Sequence, residues 1–318
     1  MSTDPAVDAL APSPRARWAA VASLVGATLF WAGNYVVGAS AVETIDPLSL
    51  VLLRWTLALV PLLLIAQVVE RPRWGEVLSA WPWLVALAAL GLVAYNLLLY
   101  TALEHIGAFE AALVNAFNPA LITLSAAAFL RQRLTVARIG GILVALAGVL
   151  IVLSGGELRT LLHTGFGEGQ LLMLGAILAW TGYTITGRLA PPLPPIAATT
   201  AQVAVTVLVL TPLTLATGGV DLPATPQAAT SLGLIALFPS VLAYLLWNRA
   251  LSVLPAGSAG VFLNLITVFT AMFTILAGQP YTAAQLIGGA IVIVGVLVTS
   301  SSGRSHRRVG LRPSRMES

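Results

Sequence analysis

The chain alternates long apolar runs with short polar connections. Ten runs are delimited by proline, glycine and charged residues, at 17–40, 47–69, 81–103, 106–129, 135–154, 168–188, 196–217, 228–250, 255–278 and 281–302. A helix needs about 20 apolar residues to cross a bilayer, whereas a barrel strand needs only about 10. Backbone groups in lipid must be satisfied internally, so runs of this length predict helices. Pro47, Pro82 and Pro255 stand at the starts of runs, where a helix has N–H groups without intrahelical partners. Residues 1–16 are polar and proline-containing, lack a cleavable signal pattern, and read as a disordered tail.

Composition turns this pattern into a fold class. Hydrophobic residues make up 58% of the 318 and charged residues 9%, where a soluble domain carries roughly 25% charged. The expectation is an all-α integral membrane protein of ten transmembrane helices. The absence of cysteine excludes disulfides and thiolate sites. His105, His163 and His306 are scattered, so neither a metal nor a cofactor is expected. All sixteen basic residues are arginine. With the N-terminus in the cytoplasm, fourteen of them fall on that side, including Arg71, Arg73, Arg131, Arg133 and Arg138 and five in the basic tail 303–318. Only Arg159 falls opposite, and Arg54 lies within a run. Both termini are therefore placed in the cytoplasm of a multi-pass protein of the cell inner (plasma) membrane. The high pI of about 10.0 reports topology and does not point to nucleic acid.

The sequence repeats at an offset of 148 or 149 residues. Gly26-Ala-Thr-Leu-Phe-Trp31-Ala-Gly33 aligns with Gly175-Ala-Ile-Leu-Ala-Trp180-Thr-Gly182, and Ile139-Gly140-Gly141 aligns with Ile287-Gly288-Gly289. Each half, 17–154 and 168–302, holds five runs. An odd number makes the second half enter the membrane from the opposite side, giving two inverted five-helix repeats. Such repeats characterise transporters, with the substrate site near the midplane between the halves.

Trp31-Ala-Gly33-Asn34, Pro47-Leu48 with Arg54, Tyr100-Thr-Ala-Leu103, Ala111-Ala112, Asn118-Pro119-Ala120 and Arg133-Leu134-Thr135 resemble an EamA-type member of the drug/metabolite transporter superfamily. The likeness covers roughly residues 17–302 and extends to the YddG-like amino-acid exporters. It implies ten helices interleaved around a central cavity, and export of amino acids or other metabolites. The family often has Gly-Glu-Arg after span four and Gly-Glu after span nine. Here Arg131-Gln132-Arg133 and Gly278-Gln279 stand instead, so no role of those glutamates carries over.

Polar side chains within spans are costly and normally face a bundle interior. Trp31 and Asn34 share a face of span one, and Trp180, Tyr183 and Thr184 repeat the arrangement in span six. Span three carries Asn96 and Tyr100, and span eight carries Tyr244 and Asn248. Asn115 and Asn118 in span four correspond to Asn264 and Thr267 in span nine. The set has two readings. Either the asparagines bond helices together, for about 1 kcal/mol or less each, or they line a polar, aromatic substrate pocket.

Other features have packing or interface readings. Trp18, Trp74, Trp81 and Trp83 suit an interfacial belt. Small residues at Gly141, Ala145 and Gly148 on span five, and at Gly288 and Gly295 on span ten, permit close helix packing or a homodimer. Pro119 within span four deprives the Asn115 carbonyl of its donor, and Pro61, Pro212 and Pro239 mark kinks. Arg54 has two readings: it snorkels outward to pair with Glu43 or Asp46, or it acts as a gate or an attractive charge for carboxylates. Glu110, at the start of span four, is the one carboxylate placed to titrate near the membrane.

The function expected is export of amino acids and related small metabolites by alternating access, with the lipid bilayer and small-molecule substrates as partners. Proton-coupled multidrug efflux would need a carboxylate in the cavity, and span one has none. Sugar-phosphate or nucleotide-sugar exchange would need several cations, and Arg54 stands alone. An enzyme would need a nucleophile and base at depth, which the scattered histidines do not supply.

Overall fold

The computed structural model describes residues 13–131, 134–157, 166–251, 253–254 and 260–301. Expectations for residues 1–12, Gln132-Arg133, Arg159, Pro255 and the basic tail therefore lie outside the described residues. Helices and turns make up the described chain, and it contains no strand.

In the first half the helices are α1 (Pro14–Ala41), α2 (Pro47–Ile65), α3 (Trp74–Ser79), α4 (Trp81–Leu87), α5 (Tyr95–Leu103), α6 (Ala108–Asn115), α7 (Asn118–Phe129) and α8 (Val136–Leu153). The second half contains α9 (Glu168–Leu189), α10 (Pro195–Ala216), α11 (Pro226–Leu237), α12 (Ala243–Leu251), α13 (Leu265–Leu276) and α14 (Ala283–Ser301). Six helical stretches are long and apolar enough to cross a membrane: Pro14–Ala41, Pro47–Glu70, Trp81–Leu103, Ala108–Phe129, Pro195–Ala216 and Pro226–Leu251. Shorter apolar helices cover Ile139–Val152, Phe262–Leu276 and Ala283–Gly295. Their outer faces carry large exposed apolar residues, among them Val60, Leu64, Leu143, Leu208 and Leu276, as a surface solvated by lipid requires.

The first helix begins earlier than the apolar run suggests, at Pro14. Ser13 caps it by accepting from the Ala16 N–H at 3.2 Å, and Pro14 fills the first position. The last residues of the expected disordered tail are thus helical, because a serine-proline pair is itself a helix start.

Three wider, π-helical turns interrupt the α geometry, at Ala66–Glu70, Ala88–Ala94 and Phe238–Leu242. The last two occupy corresponding places in the two halves, each followed by the polar pair that the repeat predicts. Their causes are local. Pro239 has no N–H to give the Ile235 carbonyl, and the Ser240 hydroxyl donates to that oxygen instead, at 2.8 Å. In the first half the Asn96 amide donates to the carbonyls of Gly91 and Leu92 at 3.1 and 2.9 Å. Pro119 has a stronger effect, because α6 ends at Asn115 and α7 begins at Asn118. In the second half a 3-10 turn, Gly260–Asn264, precedes α13 at the matching point. Pro61 and Pro212 lie within continuous helices.

Helix neighbours follow the repeat. α1 packs on α12 and α13, and the counterpart α9 packs on α5 and on α6 and α7. α2 packs against its own counterpart α10, and α8 against α14. Exchanging the halves leaves this pattern unchanged. End caps follow it too. Glu70 after the first π turn accepts from the N–H groups of Ile196 and Ala197 at 2.8 and 2.7 Å, at the start of α10. Asp221, after α10, accepts from the Asp46 N–H at 3.2 Å at the start of α2. Each carboxylate meets the partially positive end of the other half's helix.

The small-residue stripes of spans five and ten face each other within the chain. A methyl group added at Gly148 would stand 2.6 Å from the Gly288 carbonyl oxygen and 2.7 Å from the Val292 nitrogen. Glycine there lets the α8 and α14 backbones touch.

Candidate functional site

α1 presents Trp31, Asn34 and Tyr35 inward, positions three and four apart that share a helix face. From α2 come Arg54 and Trp55, from α5 Tyr95 and Asn96, and from the break in span four Asn115, Asn118 and Pro119. The second half supplies Trp180 from α9, Tyr244 from α12, and Leu263, Asn264 and Ile266. Together they line one cavity, with walls drawn from both halves.

The aromatic walls are interlocked. The Trp31 ring lies 5.8 Å from Tyr244 and 5.4 Å from Trp247 between centroids, and its indole N–H donates to the Pro239 carbonyl at 3.2 Å. Trp180 stacks between Tyr95 and Tyr183, each at 5.0 Å. The hydroxyls of Tyr35 and Tyr95 share a hydrogen bond of 3.0 Å. A missing side chain at Gly91 makes room for the Tyr183 ring.

Arg54 does not snorkel. Only 3% of it is exposed, and its guanidinium turns inward rather than toward Glu43 or Asp46. Nε and Nη2 donate to the Ser240 hydroxyl at 3.0 and 2.8 Å, and Nη1 donates to Asn96 Oδ1 at 2.8 Å and to the Tyr100 hydroxyl. Tyr100 in turn donates to Asn34 Oδ1 at 2.8 Å. The guanidinium carbon sits 4.8 Å from the Trp55 ring centroid, a cation–π distance. An arginine fork satisfies these oxygens from one point, which the short Asp46 side chain at the helix end does not reach. Arg54 therefore ties α2 to α5 and to the π turn before α12.

The residues expected to line a pocket divide in two. Trp31, Asn34, Asn96, Asn115, Asn118, Trp180, Tyr244 and Asn264 reach the cavity. Tyr100, Tyr183 and Thr184 stand behind it: Tyr100 holds Arg54 and Asn34, Tyr183 backs Trp180, and Thr184 donates to the Trp180 carbonyl at 2.9 Å. Asn248 is half-buried away from the lining, and Thr267 bonds the Ala112 carbonyl at 3.1 Å. Glu110 accepts from Gln170 at 3.0 Å near the start of α6, also away from the lining. Asn118 accepts from Thr181 at 3.0 Å, so it also joins helices. Tyr35, Trp55, Tyr95, Ser240 and the Pro239 carbonyl were not singled out in the sequence. Tyr35 shares the spacing of Trp31 and could have been. Ser240 could not, because a π turn shifts the face on which later residues appear.

Comparison with known proteins agrees with this architecture. The EamA-like transporter family model matches residues 18–154 and again 167–301. An uncharacterized transporter of Bacillus subtilis (strain 168), YyaM, is 27% identical over 280 residues, covering 87% of this chain and 92% of the relative. A probable terminal-alkyne amino-acid exporter of Streptantibioticus cattleyicolor is 28% identical over 307 residues, 93% of this chain and 98% of the relative. A solved crystal structure superposes with a TM-score of 0.62 at 19% identity, covering 88% of this chain and 98% of that one, a likeness of fold. The chain belongs to the EamA-like transporter family and is a membrane transporter rather than an enzyme.

Proposed function

We propose that this EamA-family transporter exports amino acids and related small metabolites across the inner membrane by alternating access. In this reading ten spans form two inverted five-helix repeats with both termini in the cytoplasm, and the cavity between the repeats is the substrate site. The observation that carries the proposal is the composition of that cavity: amides and aromatic rings contributed by both halves, with Tyr95, Asn96, Asn115, Asn118, Tyr244 and Asn264 at or just beyond the broken and widened segments of their helices. Discontinuous helices near the midplane are where transporters of inverted-repeat design bind substrate. The exchange-symmetric packing supports two access states of similar energy, since each half can adopt the arrangement now held by the other. The exporter from Streptantibioticus, whose name specifies an amino acid, supports the substrate class.

Among the described residues, the lining contains no Asp or Glu. Proton-coupled efflux of cationic drugs needs a carboxylate to exchange protons for cations, so the cavity does not favour it. Sugar phosphates need more than one cation, and Arg54 is the single one in the lining. The test is uptake into proteoliposomes over a panel of the twenty amino acids, cationic drugs and sugar phosphates, with and without a pH gradient. Saturable amino-acid flux is expected. Flux of a drug or sugar phosphate with no amino acid moving would overturn the proposal.

A further inference from the structure

Arg54 presents an electrostatic imbalance. It is almost entirely buried, and all of its hydrogen-bond acceptors are neutral: Ser240, Asn96 and Tyr100. Those contacts occupy four of the five N–H groups a guanidinium carries. The fifth, on Nη2, has no partner among the described residues, and Arg54 lines the cavity. Among the described residues no ion pair involves it, and no carboxylate stands in the lining. A buried charge without a counter-ion is expensive, and in a bilayer the cost is greater still. The most direct source of the missing charge is whatever enters the cavity.

The repeat says how much charge is wanted. Arg54 and Gln202 each stand seven positions after the proline that begins their helix, Pro47 and Pro195. Gln202 is buried to a similar degree, at 4% exposure, and its Oε1 has no hydrogen-bond partner. Matching positions thus carry a cation in one half and a neutral amide in the other. Among the described residues the interior holds one positive charge, not two, which suits a single carboxylate better than a dicarboxylate or a phosphate.

Neutral acceptors remain for an amine. Asn115 Oδ1 is buried without a partner and its residue lines the cavity. Asn115 also ends α6, where a helix carries partial negative charge. Trp31, Trp180 and Tyr244 line the same cavity, where an ammonium group or an apolar side chain can contact an aromatic ring.

We propose that Arg54 is the carboxylate anchor of the cavity, so that the site takes monocarboxylates, above all neutral α-amino acids, and rejects amines that lack a carboxylate. This rests on the cavity being the substrate site and adds the substrate's charge and orientation to that reading. The carboxylate sits on the guanidinium through a charge-assisted hydrogen bond, and the amine lies toward Asn115 and the rings.

The test uses the full chain, purified in detergent, and reads tryptophan emission, since Trp31, Trp55 and Trp180 border the cavity. Three probes share one aromatic side chain: phenylalanine, 3-phenylpropionate without the amine, and 2-phenylethylamine without the carboxylate. Phenylalanine and 3-phenylpropionate are expected to bind at least about tenfold more tightly than 2-phenylethylamine. Arg54→Gln should abolish that preference, weakening both acids while leaving the amine unchanged or tighter. The anchor is overturned if the amine binds as well as the acids, if neither acid binds, or if folded Arg54→Gln keeps its affinity for acids. Should Arg54→Gln fail to fold, the wild-type comparison decides alone. The flux panel separates the two claims. Amino-acid flux with an amine-preferring site sinks only the anchor, whereas acid preference without amino-acid flux sinks only the export reading.

Discussion

Trp31 gives its indole N–H to the Pro239 carbonyl and its ring to Tyr244 and Trp247. It thereby joins α1 to the π turn of the opposite half. Trp31→Phe keeps most of the packing and removes the bond, about 1 kcal/mol. Transport should fall several-fold while melting temperature shifts by only a few degrees, and normal transport would mean that the ring merely fills space. Among the described residues the Trp180 indole has no such bond to lose, so Trp180→Phe should be the milder change. Glu110→Gln should retain substantial amino-acid flux, because the carboxylate pairs with Gln170 away from the cavity. Loss of pH-driven flux in a folded Glu110→Gln protein would make it a proton carrier. At this scale helical spacing in the sequence put Trp31 with Asn34 on one helix face, and the structure places Trp31, Asn34, Asn96, Asn118, Trp180 and Tyr244 on one cavity. Spacing did not give the direction of Arg54. Glu43 and Asp46 are near in sequence, whereas Ser240, its doubly bonded partner, is 186 residues away. No local pattern ranks a remote neutral hydroxyl above a neighbouring carboxylate.

Helices carry the site through their irregular parts. The apolar runs locate the helices to within a few residues, since length and hydropathy are strong signals in lipid. The two matching π turns are another matter, because their cause is a side chain reaching back for a carbonyl, as Ser240 and Asn96 do. Only Pro239 announces one of them in advance, and Pro61 and Pro212 show that a proline inside a span need not interrupt the helix. Close backbone contact between α8 and α14 makes a direct prediction. Gly148→Val places carbon where the Gly288 carbonyl and the Val292 backbone already stand. It should destabilise by about 1–3 kcal/mol, lowering melting temperature and yield, with the apparent substrate affinity of the surviving protein unchanged. Altered affinity with unchanged stability would place this pair in the site rather than in the scaffold. Glu70→Ala removes the acceptor for two N–H groups at the start of α10. The expected loss is about 1–2 kcal/mol, read as a lower melting temperature, and no loss would mean that water replaces the cap fully.

Over the whole molecule, the two halves differ in sequence yet share one pattern of neighbours. Arg54 and Gln202 break that symmetry in charge, and on the anchor proposal this gives the duplicated scaffold a single binding polarity. The repeat itself was legible from Trp31 and Trp180 with their glycine neighbours. The interleaving of the halves was expected only from the family resemblance, since packing between remote helices leaves no trace in periodicity. The central claim is that the cavity opens in turn to each side of the membrane. The chain has no cysteine, so a single one at Ile122, an apolar wall position in α7, reports on that space alone. The decisive measurement is labelling of Ile122→Cys by a membrane-impermeant thiol reagent, applied to one side or the other of oriented vesicles. Alternating access predicts labelling from both sides, slowed on each by a transported amino acid. Labelling from one side only, under every substrate condition, would contradict it.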